Sequence, residues 1–148
     1  METVGDWMSR PAIVAAPTML LPQARRLLRQ RGIRRLVVVD AAGRLVGIVT
    51  EGDINRLSDS HVTDVRDYNL YHRVGELPIG EIMTREVVRV TPDTPLIEVA
   101  GLLLSHRIGG LPVVEGEQVV GVITESDLFR LLVTRWREAD YSPIGESR

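Results

Sequence analysis

The phrases GIVTEGD (Gly47–Asp53) and GVITESD (Gly121–Asp127) are one pattern written twice. In each, a glycine and two apolar residues lead into Thr-x-x-Asp, the signature of a strand that ends where a helix begins. Working outward, Thr50, Asp53 and Gly47 find their counterparts 74 positions later in Thr124, Asp127 and Gly121. Further upstream, Met8, Pro17 and Ile33 match Met83, Pro92 and Ile108 at a distance of 75. The one-residue slip falls between Asp40–Arg44 and Glu115–Gln118, in a turn, where a deletion costs least. The chain is therefore a tandem repeat.

Each copy reads as β-α-β-β-α. A short extended piece (Ala12–Ala15; Glu86–Val90) leads to a turn at Pro17 or Pro92. In the first copy a helix over about Leu20–Gln30 carries Leu20, Ala24, Leu27 and Leu28 on one face and Arg25, Arg26 and Arg29 on the other. Pro22 is tolerated in its first turn, and Gly32 stops it. In the second copy Thr94 is expected as N-cap, with Pro95 at the first helical position. Two apolar runs follow, Leu36–Val39 and Leu45–Val49, then Leu111–Val114 and Val119–Ile123. Each pair is joined by a glycine-containing turn, at Gly43 or Gly116. Strands this apolar are covered on both faces. A second helix starts near Thr50 or Thr124. One such unit is too small to bury a good core alone, so the two are expected to pack as one pseudosymmetric α/β (α+β) module. The expected boundaries are 1–58 for the first repeat, 59–76 for a linker with a helical portion, 77–138 for the second repeat and 139–148 for a flexible tail.

Taken together, these features resemble a tandem pair of CBS domains, the module named after cystathionine β-synthase. The matching residues are Trp7-Met8-Ser9 and Ile82-Met83-Thr84, the VTPDTPL turn, the IRRLVVVD and IGGLPVVE runs, and the duplicated Thr-x-x-Asp ending. The resemblance spans nearly the whole chain outside the linker and tail. It is similar to the small bacterial proteins that consist of such a pair, which implies an adenine-nucleotide-binding regulatory function, AMP first, with ADP, ATP or S-adenosylmethionine as further candidates.

The resemblance gives Asp53 with Thr50, and Asp127 with Thr124, the role of holding a ribose. A carboxylate at a helix N-terminus accepts hydrogen bonds from both ribose hydroxyls. The structural reading beside it is a capping box, with Thr and Asp satisfying backbone N–H groups and the acid favouring the helix dipole. The two readings are compatible. In the family such sites lie between repeats, which implies adenine walls from Ile48, Val87, Val88 and Ile108 for Asp53. For Asp127 the corresponding set is Ala12, Ile13, Ile33 and Val122. All eight serve equally well as core. Arg34 and Arg35 stand where some nucleotide-binding repeats carry phosphate ligands, whereas the second copy has Gly109-Gly110. They are expected to hold a phosphate at the Asp53 site. A solvated basic surface continuing Arg25, Arg26, Arg29 and Arg31 is the competing account, and Arg34 borders both sites. The Asp53 site is accordingly expected to bind more tightly than the Asp127 site.

Composition removes other classes. All 18 basic residues are Arg, the net charge is −2, and there is no Cys. Thiolate chemistry and disulfides are excluded, and a P-loop needs the Lys that is absent. The arginine bias fits either GC-rich coding or a use of the planar guanidinium fork. His61, His72 and His106 lack ligand spacing, so no metal site is expected. Glu51 beside Asp53, and Glu125 beside Asp127, do not face one another on a helix, so no catalytic carboxylate pair is expected. No catalysis is expected at all. The acidic balance argues against nucleic acid, and no apolar run is long enough for a membrane span. No signal peptide is visible, so a cytoplasmic setting is the default. The resemblance further implies a homodimer joined through helical faces and an unidentified regulated protein. The competing functional reading is a ligand-free interaction or scaffold module in which Thr and Asp act only as helix caps.

Overall fold

A computed structural model describes residues 1–58 and 75–139. The linker expected over 59–76 and the tail from 139 fall almost wholly outside the described residues. The chain forms two compact units, and they are cut differently from the linear repeats. One comprises Ala12–Val88 with Gly116–Val119; the other comprises Met1–Pro11, Arg89–Glu115 and Val120–Arg148.

In the first of these units, β1 (Val14–Ala15), β2 (Arg35–Val39) and β3 (Leu45–Thr50) form one sheet in that order. β1 runs parallel to β2 with Val14 opposite Val37, and β2 pairs antiparallel with β3, placing Arg35 opposite Thr50 and Val37 opposite Ile48. The helix α2 (Leu21–Arg31) forms because Leu21, Ala24 and Leu28 repeat at helical spacing, and all three are buried. Its start is tied by the Leu20 N–H donating to Gln23 Oε1 at 3.0 Å. Gly32 ends it in the left-handed region at φ 61°, where a side chain would be strained. The helix α3 (Glu51–Ser58) follows β3 directly. Leu21, Ala24, Leu28, Leu36, Val38, Val49 and Ile54 close the core with Ile79 and Met83 from the later segment. Each fully buried Leu or Ile among them contributes about 2 kcal/mol.

That later segment enters through backbone bonds. Thr84 and Ile48 exchange two N–H···O bonds of 2.9 and 3.0 Å, and Ile79 N–H donates to Met19 O at 2.8 Å. A 3₁₀ turn, Ile79–Glu81, carries the chain between these contacts.

The other unit repeats the scheme with reciprocal parts. β4 (Gly110–Glu115) and β5 (Gln118–Thr124) pair as a two-stranded sheet, flanked by α4 (Leu96–His106) and α5 (Glu125–Glu138). The extended piece expected before α4 shortens to a single parallel bridge, Val90 with Val113. The N-terminal segment, with the one-turn helix α1 (Val4–Trp7), supplies what the unit otherwise lacks. Ser9 and Val122 exchange two backbone bonds, and Val4 is fully buried.

One capping expectation is corrected. Pro95, not Thr94, is the N-cap of α4. The Thr94 hydroxyl instead accepts the Thr91 N–H at 3.1 Å in the preceding turn. The first helical N–H, of Leu96, is satisfied by the Glu2 carbonyl at 3.0 Å, so no side-chain cap is needed.

Candidate functional site

Both Thr-x-x-Asp phrases sit where the last strand of a repeat turns into a helix, as the sequence pattern requires. Thr50 ends β3 and Thr124 ends β5, and each Asp is the third residue of the helix that follows. At the first, Thr50 N–H donates to Asp53 Oδ2 at 2.9 Å and Asp53 N–H donates back to the Thr50 hydroxyl at 3.1 Å. At the second, the Thr124 N–H and hydroxyl both donate to Asp127 Oδ2, at 2.9 and 3.2 Å. One oriented threonine donor at Asp53 and two at Asp127, together with the helix N-terminus, hold each carboxylate at a fixed place.

The same box occurs a third time. Thr3 N–H and hydroxyl donate to Asp6 Oδ2 at 3.2 and 3.0 Å at the start of α1. Box geometry by itself is therefore a capping device in this protein. What distinguishes the other two is a guanidinium on the remaining oxygen: Arg56 pairs with Asp53 Oδ1, and Arg130 pairs with Asp127 Oδ1. Sequence reading missed these arginines, although the signal is present as Thr-x-x-Asp-x-x-Arg in both copies. The two carboxylates differ in access. The Asp53 side chain is 21% exposed, and that of Asp127 only 2%.

The other expected residues are distributed as follows. Arg35 lies opposite Thr50 in the β2–β3 register, so the two side chains share one face of the sheet, with Val37 and Ile48 next along it. Arg34 is directed elsewhere: it lines a cavity of about 200 Å³ on the helix side, with Arg25, Arg29, Ile33, Glu51 and Asn55. The structure thus separates the two arginines. Val87 and Val88 are half-buried in the same unit as Asp53, three and four residues beyond the Thr84–Ile48 pairing. Ala12 is half-buried just before β1, whereas Ile13 and Ile33 pack against the α2–α3 core. Val122 pairs with Ser9 and is half-buried in the unit that holds Asp127. Ile108 lines an apolar groove of about 650 Å³ along α4 and α5, with Ile97, Leu104, Phe129 and Leu132.

That groove and the Arg-lined cavity occupy equivalent places in the two repeats. Arg25, Arg29, Ile33, Glu51 and Asn55 correspond to Ala100, Leu104, Ile108, Glu125 and Phe129. One fold position is basic in the first copy and apolar in the second. Ile97, Leu104 and Phe129 are 74%, 80% and 60% exposed and form an apolar patch. Among the described residues no cluster of His, Asp or Glu is arranged to hold a metal, and no helix is long and apolar enough to cross a membrane.

Comparison with known proteins bears on this geometry. The model of the CBS domain matches residues 4–60 and again 79–134. The CBS domain pair of protein MJ0100, solved in complex with 5′-methylthioadenosine and S-adenosyl-L-methionine, is 32% identical with a TM-score of 0.77, covering 90% of this chain and 98% of that one. CBSX2 in complex with AMP is 27% identical with a TM-score of 0.78, covering 91% and 98%. A putative acetoin utilization protein (AcuB) from Vibrio cholerae is 30% identical with a TM-score of 0.79, covering 97% and 99%. Other relatives are longer: the chain spans 14% of the A-adding tRNA nucleotidyltransferase of Geobacter sulfurreducens and 46% of protein MJ1225 of Methanocaldococcus jannaschii.

Proposed function

This chain belongs to the CBS domain family and carries two CBS domains in tandem, and from that premise we propose that it is an adenine-nucleotide-binding regulatory module with no catalysis of its own. The observation that carries the reading is the duplicated Thr-x-x-Asp at a strand-to-helix junction, with each carboxylate fixed on one oxygen by its threonine. Structural relatives solved with AMP, S-adenosylmethionine or methylthioadenosine share the adenosine moiety, which supports a ribose as the group read. Asp53 with Thr50, and Asp127 with Thr124, are the ribose ligands in this proposal. Ile48, Val87 and Val88 supply apolar contact for the base in the unit that holds Asp53. Arg35 is the better placed of the two arginines for a phosphate, since it faces the same way as Thr50. A cytoplasmic setting, where such nucleotides are abundant, belongs to the same proposal.

The proposal includes a homodimer joined through α4 and α5. A second copy presenting the same face buries Ile97, Leu104 and Phe129 against their equivalents, an isologous contact. The equivalent face of the first repeat would instead bring in Arg25, Arg29 and Arg34 against the single acid Glu51, and burying that excess of charge is costly.

The deciding experiment is a calorimetric titration with AMP, ADP, ATP and S-adenosylmethionine, with thermal shift alongside. Saturable heat from at least one of them is expected. No heat and no shift with any at millimolar concentration would sink the proposal. The exposed apolar face and the Thr3–Asp6 box favour the second reading, a ligand-free interaction module, and that outcome would leave it standing.

A further inference from the structure

The Thr-x-x-Asp box needs no arginine. At Thr3–Asp6 it forms with Ser9 three residues on, yet in both repeats the residue three beyond the acid is an arginine and reaches back to it. Each carboxylate is divided in the same way: Oδ2 is held by its threonine, and Oδ1 is held by a guanidinium that is itself largely exposed to water. A ribose presents two hydroxyls and needs acceptor positions that face outward. Oδ2 already accepts from the backbone of the helix start, so a sugar that takes both oxygens must displace the guanidinium from Oδ1.

We infer that Arg56 and Arg130 are latches: each occupies the ribose-reading oxygen of its own repeat and competes with the ligand for it. This rests on the ribose reading of Asp53 and Asp127. The latch is a charge-assisted bond between neighbours on one helix turn, so it re-forms whenever a ligand leaves. It is also unequal in the two repeats. Asp53 keeps an exposed edge while latched, whereas Asp127 is 2% exposed and its outer oxygen is taken by Arg130. Arg130 is itself 63% exposed and is the side chain that must swing away for a sugar to reach that oxygen. The two sites therefore load in order, Asp53 first, and the Asp127 site is populated only in the fraction of molecules whose latch is open. The latches set affinity and order; the acids and threonines make the contact.

The test uses the full chain and adenosine, an uncharged ligand that no guanidinium attracts through a phosphate. Calorimetry is run on the wild type, Arg56→Met, Arg130→Met and Asp53→Asn, each checked for a cooperative melt. Arg56→Met is expected to tighten adenosine by about two- to fivefold, the worth of an exposed ion pair. Arg130→Met is expected to raise the stoichiometry from about one to about two per chain. Wild-type affinity for adenosine is also expected to rise with ionic strength, as salt screens the latch, and this arm needs no variant to fold. Variants that bind adenosine no better than the wild type, with a flat or falling salt response, overturn the latch while Asp53→Asn still abolishes binding. If the wild type and all variants bind neither adenosine nor AMP, the ribose reading fails and takes the latch with it.

Discussion

Ser9 and Val122 exchange two backbone hydrogen bonds, 2.9 and 3.1 Å long, so the start of the chain is fastened to the last strand of the second repeat. Thr84 and Ile48 do the reverse, fastening the start of the second repeat to the last strand of the first. Each strand passes close to its visitor because it carries a glycine there.

A Cβ on Gly121 would stand 2.7 Å from the Ser9 carbonyl oxygen, a backbone atom that cannot turn aside. Gly121→Ala is expected to cost about 1–3 kcal/mol in denaturant unfolding. The hindrance at Gly47 comes chiefly from the Met83 side chain, which is flexible, so Gly47→Ala is expected to cost less. An equal loss at both positions would contradict this account of the two contacts.

Asp53→Asn keeps an oxygen to accept the Thr50 N–H but loses the negative charge. Affinity for AMP is expected to fall about tenfold or more, the worth of one charge-assisted hydrogen bond. Thr50→Ala removes the hydroxyl that Asp53 N–H donates to and is expected to lower stability by about 1 kcal/mol. Calorimetry and thermal melts on the two variants separate ligand contact from helix capping.

Leu104→Glu combined with Phe129→Glu places carboxylates on the exposed α4–α5 face. Light scattering after size exclusion is expected to show the dimer mass replaced by the monomer, with the far-ultraviolet spectrum retained. The matched control is Arg29→Glu at the equivalent place in the first repeat, expected to leave the mass unchanged.

Asp40 organises the β2–β3 turn. Its carboxylate accepts the Arg44 and Ala42 N–H groups, each at 2.9 Å, and pairs with the Arg44 guanidinium. The Arg44 N–H is the main cause holding its pKa below the ordinary carboxylate value, partly offset by desolvation. A lowered folded-state pKa means the turn's stabilisation is complete above the unfolded value, near 4, and is lost as pH falls through the folded one. Asp40→Asn is therefore expected to narrow its melting-temperature gap to the wild type as pH drops below about 4. A gap that stays constant across that range would show that the charge is not what matters.

Much of this architecture is legible in the amino-acid pattern. Gly32, Gly43 and Gly116 all adopt positive φ, and each was legible as a helix stop or turn because few other residues take that conformation. Apart from the piece Glu86–Val90, which is reduced to one bridge at Val90, the strands and helices of both repeats lie within a residue or two of their expected places, since apolar spacing states the period directly. The exchange of leading segments was not legible. Nothing local to Ser9 specifies Val122, and pairing between distant residues is decided by packing that a one-dimensional pattern does not record. Thr94 misled for a related reason: a good capping residue is outcompeted when a carbonyl from elsewhere, here that of Glu2, takes the N–H first. At the site, Asp53 and Asp127 were visible through repetition, and the same comparison carried one turn further would have exposed Arg56 and Arg130.

The exchanged ends also set a timetable for the chain as it is made. Met1–Pro11 leaves the ribosome well before its partner, since the strand that receives Ser9 is translated more than a hundred residues later. The nascent segment waits without its partner while that length of chain is made, and the pairing it forms is far from local. Half of this gene is consequently not half of a protein: a fragment ending at the linker carries α1 without β5, and β3 without Thr84.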